Sequence, residues 1–169
     1  MKKLGPMVFF MFILFIVDSI CFAGFTAEAR VKMLSGQDEN IEKIKPGNVL
    51  WNGVVVLQII KKETKELFVL NLFDDEKIET TADQCFYISG GYSDNDTIMD
   101  VTDLDDGYWI KCLCYPSECF PEIHESSSRI SGKKKKDFDE EVVVYSLKIK
   151  DKNGNKGYYF VNRLKAESE

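Results

Sequence analysis

The stretch GFTAEARVKMLSG, residues 24–36, marks the point at which the foldable part of the chain begins. It opens with Gly24, which has no side chain, and it closes at Gly36, a residue that suits a tight turn. An apolar, leader-like segment precedes this stretch, and runs of β-branched and aromatic residues follow it.

Residues 1–23 have the pattern of a signal peptide. Two lysines precede an apolar run of 11 residues, 7–17, and an aspartate follows it. A membrane-spanning helix needs about 20 apolar residues, so the short run favours cleavage over anchoring. Cys21 and Ala23 supply the small residues that signal peptidase accepts before its cleavage point. The sequence thus predicts a secreted or periplasmic mature chain beginning at Gly24, which meets the membrane only through the uncleaved leader.

The remaining residues, 24–169, predict one domain, because 146 residues fall within the usual domain size of about 100–200. Without the two lysines and one aspartate of the leader, this part has 20 basic and 27 acidic residues. That acidic balance argues against nucleic acid as a partner and leaves an unidentified protein as the class to consider. No glycine-rich phosphate loop follows a strand-like run, so we expect no cofactor.

Strand-like runs recur throughout this part and predict an all-β fold with little helix. They are VLWNGVVVLQII (49–60), ELFVLNLF (66–73), QCFYI (84–88), YWIKCLCY (108–115), VVVYSLKIK (142–150) and GYYFV (157–161). The links KKETKE (61–66) and DKNGNKG (151–157) have turn chemistry, and each predicts a hairpin. Residues 89–107 and 125–141, rich in serine and charged side chains, predict surface loops.

Five segments, taken together, resemble a known family. They are GFTAEARVKMLSG (24–36), NIEKIKPGNVL (40–50), TTADQCFYI (80–88), VTDLDDGYWIKC (101–112) and VVVYSLKIKDKNGNKGYYFVNRLKAES (142–168). In this order and spacing they resemble the Hint domain, the hedgehog and intein family of autoprocessing β-folds. The resemblance implies a curved β-fold built from hairpins over residues 24–169, with its first and last strands lying together.

The resemblance also implies where the chemistry of active members would lie. In those members a cysteine thiol attacks the preceding carbonyl, a threonine and a histidine act on that amide, and a terminal His-Asn pair completes splicing. In that order, the corresponding positions are Gly24, Thr81, Gln84, Glu167 and Ser168.

Only the threonine is retained at these five positions. Glycine offers no nucleophile, and a glutamine amide cannot transfer a proton near neutral pH as an imidazole does. We therefore expect no catalytic residue, and an exported domain that has lost self-cleavage and acts as a non-catalytic binding or structural module.

An alternative is a divergent autoprocessing domain that uses Cys21 as its nucleophile, because CFAG (21–24) also resembles the Cys-Phe opening of active members. This alternative requires an uncleaved leader. The base would still be absent at Gln84, and His124, the one histidine of the chain, would have to come from a different segment.

Four cysteines, Cys85, Cys112, Cys114 and Cys119, are disulfide candidates in an exported protein. A bridge from Cys85 to Cys112 would tie two strands and one from Cys114 to Cys119 would close a short loop, but all three pairings stay open. A zinc site formed by Cys112, Cys114, Cys119 and His124 is the weaker reading. One residue separates the first two cysteines, whereas structural zinc sites favour two to four.

Overall fold

The computed structural model describes residues 23–89, 97–114 and 122–169. Within these ranges the chain forms eleven β-strands and a single 3₁₀ turn, Ile41–Lys43. The strands are β1 (Phe25–Thr26), β2 (Arg30–Lys32), β3 (Asp38–Asn40), β4 (Val55–Leu72), β5 (Lys77–Thr80), β6 (Cys85–Ile88), β7 (Thr97–Asp100), β8 (Trp109–Cys114), β9 (His124–Lys150), β10 (Tyr158–Val161) and β11 (Leu164–Glu167). The predicted all-β class is confirmed. No helix among the described residues has the length and apolarity needed to cross a membrane.

All these strands join one antiparallel system that folds back on itself. Neighbouring strands follow the order β1-β5-β4-β9-β8-β6-β11-β10-β2-β3, and β7 pairs with β6. Two further pairings, β1 with β9 and β8 with β11, connect strands that lie apart in this order. The two-residue strand β1 therefore lies between two partners, and the sheet curves around the segment that begins at Gly24.

The longest pairing joins β4 and β9, and it corrects two predictions. Their registers run from Val55 opposite Lys150 to Leu72 opposite Ile130, with three register shifts. KKETKE (61–66) continues β4 and is not a hairpin. Residues 125–141, predicted as a surface loop, lie within β9. Both predictions were wrong because polarity was taken as a sign of a loop, whereas two long exposed strands can satisfy each other's backbone groups and keep their polar side chains in water.

Two lysines of the four-lysine run, residues 133–136 in β9, form ion pairs with carboxylates on neighbouring strands. Lys135 forms an ion pair with Glu66 of β4 at 2.5 Å, and Lys136 one with Glu79 of β5 at 2.8 Å. The Lys133 ammonium donates to the carbonyl of Thr102 at 2.8 Å. These cross-strand partners come from distant parts of the sequence, which explains why inspection of the run alone does not reveal them.

The predicted loop 89–107 and the predicted second hairpin are also partly corrected. Residues 97–100 of that loop form β7. Val101 and Leu104 are completely buried and belong to the hydrophobic core. Residues 90–96 lie outside the described part of the chain. DKNGNKG does turn the chain, with Gly154 at φ 84°. However, the strands on either side, β9 and β10, pair with other strands and not with each other.

The hairpin at this end of the chain is formed by β10 and β11 instead. Its two turn residues, Asn162 and Arg163, have φ values of 44° and 65°, the left-handed conformation that two-residue hairpin turns require. Arg163 forms ion pairs with Asp74 and with Glu76, which hold the turn against the loop that follows β4. The two turn residues are Asn-Arg and not the Asn-Gly pair that marks such turns, so the sequence analysis did not predict this hairpin.

The core is centred on an aromatic cluster that contains the first strand. Phe25 contacts Phe86 and Tyr159 edge to face, with ring centroids 6.0 Å and 6.3 Å apart. All three residues are completely buried. Since these side chains belong to β1, β6 and β10, their packing joins the beginning, the middle and the end of the domain.

Truncation of Phe25 is therefore expected to destabilise the whole domain. We predict that Phe25→Ala lowers the free energy of unfolding by about 3–5 kcal/mol, the cost of removing a buried ring. Phe73→Ala is the matched control, because Phe73 is 75% exposed, and its effect should stay within about 0.5 kcal/mol. Urea unfolding followed by fluorescence measures both, and equal losses would show that β1 is not part of the core.

Candidate functional site

The backbone of Gly24 is held on both sides by two consecutive threonines. Its N–H donates to Thr81 Oγ1 at 2.9 Å. Its carbonyl accepts one hydrogen bond from Thr80 Oγ1 at 2.8 Å and another from the Thr81 N–H at 2.9 Å. All three residues are buried. The structure thus places Thr81 against Gly24, and both are among the five positions that the resemblance implies.

Gln84 connects the segment that follows Thr81 to β11, the last strand of the chain. The side chain is completely buried, and its Nε2 donates to the carbonyls of Cys85 at 2.9 Å and Glu167 at 3.3 Å. Its N–H lies 3.4 Å from the Thr81 carbonyl, and its Oε1 has no hydrogen-bond partner among the described residues. The amide therefore spans β6 and β11 as a structural donor at the position where the resemblance expects an imidazole.

The last three residues complete the cluster. The Glu167 carboxylate forms an ion pair with Lys156 at 3.3 Å. The Ser168 N–H donates to the Gly157 carbonyl at 3.3 Å, while its buried hydroxyl has no partner among the described residues. Glu169 Oε1 accepts a hydrogen bond from the Ala23 N–H at 3.1 Å. The two ends of the predicted domain consequently meet at one place.

A small cavity lies at this junction. Its volume is about 210 Å³, and its lining comprises Ala23, Asp83, Cys85, Lys156, Glu167, Ser168 and Glu169. Three acidic residues and one lysine belong to this lining, so acidic residues outnumber basic ones around the cavity. Glu169, Asp83, Lys156 and the placement of Cys85 in this cavity were not found from the sequence; the one available signal was that Cys85 follows Gln84 directly.

The cysteines do not form the predicted bridge between two strands. Cys85, Cys112 and Cys114 are thiols in this structure, and Cys119, like Cys21, lies outside the described residues. The reason is register: Cys85 is opposite Asp100, whereas Cys112 is opposite Ser126. Burial raises the pKa of the Cys112 thiol to about 12, which makes it unreactive because the thiolate is the nucleophilic form.

The weaker zinc interpretation has no metal site among the described residues, although two of its four residues are neighbours across strands. Cys114 and His124 are direct cross-strand partners, and Cys112 shares the face of β8 with Cys114. His124 Nδ1 lies 3.2 Å from the carbonyl of Glu122. Across residues 23–89, 97–114 and 122–169, no three histidine, cysteine, aspartate or glutamate side chains approach closely enough to hold a metal ion.

This arrangement of strands is found in solved structures. The chain is similar to a bacterial intein-like domain from Clostridium thermocellum, with a TM-score of 0.65 and 23% identity over 86% of this chain and 98% of that one. The chain has a Hint-type, intein-like fold. The gp41-1 intein matches this Hint-type chain with a TM-score of 0.64 and 14% identity, over 87% of this chain and 99% of that one.

A DnaB intein from Synechocystis is also similar, with a TM-score of 0.62 and 11% identity over 88% of this chain and 99% of that one. At these identities the likeness shows the fold alone. No protein-family model matches the sequence, and no curated protein matches it significantly. The Hint-type chain is thus connected to inteins through its backbone and through the five segments quoted above.

Loss of the Thr81 hydroxyl should destabilise this junction. We predict that Thr81→Val lowers the free energy of unfolding by about 1–3 kcal/mol, because the buried nitrogen of Gly24 loses its acceptor. Thr97→Val provides the same chemical change at an exposed position of β7 and should have little effect. Chemical denaturation of both variants is the measurement. A loss at Thr81 no larger than at Thr97 would contradict the assigned hydrogen bond.

Proposed function

We propose that this chain is an exported Hint-type domain that has lost self-cleavage and works as a non-catalytic binding or structural module. The observation that carries the proposal is Gly24, whose backbone has the threonine contacts of the junction but whose position lacks a thiol. An acyl shift needs a nucleophile bonded to that residue, and a glycine has none. The nearby thiol, Cys85, belongs to another strand.

The residue at the second position supports the same conclusion. Gln84 is buried and uses its amide to connect β6 with β11. A side-chain amide does not gain or lose a proton between pH 4 and pH 10, so it cannot serve as the general acid that protonates a departing nitrogen. Its role in the junction is to hold two strands together.

The C-terminal positions lead to the same result. Asparagine cyclisation requires a side-chain amide nitrogen, and Ser168 carries a hydroxyl. Glu167, at the penultimate histidine position, is an acid whose carboxylate is already paired with Lys156. Neither residue supplies the chemistry that would release the C-terminal end.

A binding role is supported by the surface next to the β8–β9 pair. Phe73 and Trp109 are 75% and 50% exposed, and they flank a cleft of about 340 Å³. Exposed aromatic side chains around a cleft are typical of interaction surfaces, and an unidentified protein is the partner class we propose.

The competing function, autoprocessing through Cys21, depends on a residue outside the described part of the chain. Autoprocessing requires an uncleaved leader and a thiol before Gly24, whereas the proposed function requires neither. The two functions are therefore distinguished by following the mass of the protein over time.

We predict that the purified exported protein keeps one intact mass, beginning at Gly24, over days with or without dithiothreitol. The reason is that a thioester for the added thiol to intercept cannot form at Gly24. The matched sample is the full chain with its leader, purified in detergent, as wild type and as Cys21→Ala. A thiol-dependent fragment from the wild-type full chain that disappears in Cys21→Ala would overturn the proposal and establish the autoprocessing alternative.

A further inference from the structure

Cleavage by signal peptidase after Ala23 would remove this residue from the folded domain. Ala23 lines the acidic cavity at the junction, and its N–H donates to Glu169 Oε1 at 3.1 Å. The next nitrogen along the chain, that of Gly24, is buried and bonded to Thr81 Oγ1 at 2.9 Å. Cleavage between Ala23 and Gly24 would remove Ala23 from the cavity and leave the Gly24 nitrogen facing the space it had filled.

The groups around that space favour a cationic hydrogen-bond donor. Asp83, Glu167 and Glu169 contribute carboxylates, and Lys156 is the one basic residue in the lining. Lys156 is itself paired with Glu167. Ser168 is only 2% exposed, and its buried hydroxyl has no partner among the described residues, so it offers an additional acceptor. The cavity thus presents excess negative charge and an unused acceptor oxygen.

We propose that this cavity is a binding site for an α-ammonium group, and that its ligand is the mature chain's own N-terminus at Gly24. The inference rests on the proposed function, because it requires export and cleavage before Gly24. Hydrolysis of the Ala23–Gly24 amide consumes one water. The Ala23 carbonyl carbon leaves with the leader as a carboxylate, and the Gly24 nitrogen remains as an ammonium with three donors in place of one.

The distances from the Gly24 nitrogen to acceptors in the cavity are compatible with an ammonium group at this position. Thr81 Oγ1 already accepts from the Gly24 nitrogen at 2.9 Å. One residue of chain spans at most about 3.6 Å, so Glu169 Oε1 lies within about 7 Å of that nitrogen, a gap that a rotation of the glutamate side chain closes once Ala23 is gone. A buried ammonium is stable only when it is paired and hydrogen-bonded, and the cavity provides both. The position that holds a nucleophile in active relatives would become an anchor for the mature end.

Reactivity of the α-amino group tests the proposal. A chain expressed with Met directly before Gly24 loses that methionine to aminopeptidase and begins at Gly24. A reference chain carries a short Gly-Ser tail before Ala23, which keeps its α-amino group in solvent. Both folded proteins are treated with an acetylating N-hydroxysuccinimide ester near neutral pH, and the N-terminal peptide is quantified by mass spectrometry.

The Gly24 amine should react about tenfold more slowly than the tail amine, which corresponds to one unit in its pKa, and the difference should disappear in urea. Glu169→Gln should restore much of the reactivity, whereas Glu140→Gln, at an exposed position of β9, should not. Equal rates for the two folded chains, or equal effects of the two substitutions, would overturn the proposal.

Two mass measurements, one on these samples and one on the exported protein, separate this inference from the proposed function. Intact mass before labelling reports self-cleavage, and the mass of the exported protein reports the cleavage point. A single stable mass with a fully reactive Gly24 amine would refute the ammonium site alone. A fragment, or an exported chain that begins elsewhere, would refute the proposed function on which the site rests.

Discussion

The clamp on the Gly24 peptide is the interaction on which the rest of the molecule depends. Two hydrogen bonds to its carbonyl and one from its nitrogen fix this residue against Thr80 and Thr81. Because β1 has only two residues, its pairings with β5 and β9 provide few hydrogen bonds of their own. These hydrogen bonds fix the position of β1. Because Gly24 is fixed, Phe25 packs in the aromatic core and Ala23 contacts the C-terminal residues.

The all-β class and the proximity of the chain ends could be predicted from the sequence, whereas the lengths of β4 and β9 could not. Residues 84–88 and 157–161 were recognised because apolar and aromatic side chains dominate strands that pack on the core. Residues 125–141 were not, because most of their side chains remain in solvent and their strand partners come from β8 and β4. Charge neutralisation across strands, as between Lys135 and Glu66, is a tertiary effect that no local pattern contains.

The candidate site, like the fold, could be predicted from the sequence only in part. Its five positions followed from the family resemblance, and their contacts, such as that between Gln84 and Glu167, bring them together in space. The cavity beside them did not follow, because Asp83, Lys156 and Glu169 have no counterpart in the motif that identified the positions. The structure shows hydrogen bonding at two of these positions: the Gln84 amide spans two strands where the resemblance implies a base, and the Gly24 backbone is held by two threonines where it implies a thiol. Loss of the self-cleavage chemistry at these positions is part of the function proposed above.

Placing a cysteine and a histidine at two of the positions implied by the resemblance tests most directly whether this fold can hold the reactive geometry. Gly24→Cys and Gln84→His are introduced together behind a short N-terminal extension, and intact mass is followed with dithiothreitol. The account predicts release of the extension from the double variant, because Thr81 still contacts the nitrogen of residue 24. Release should be far slower from either single variant and absent from the parent. A double variant that folds, as judged by circular dichroism, yet keeps one mass would contradict the account.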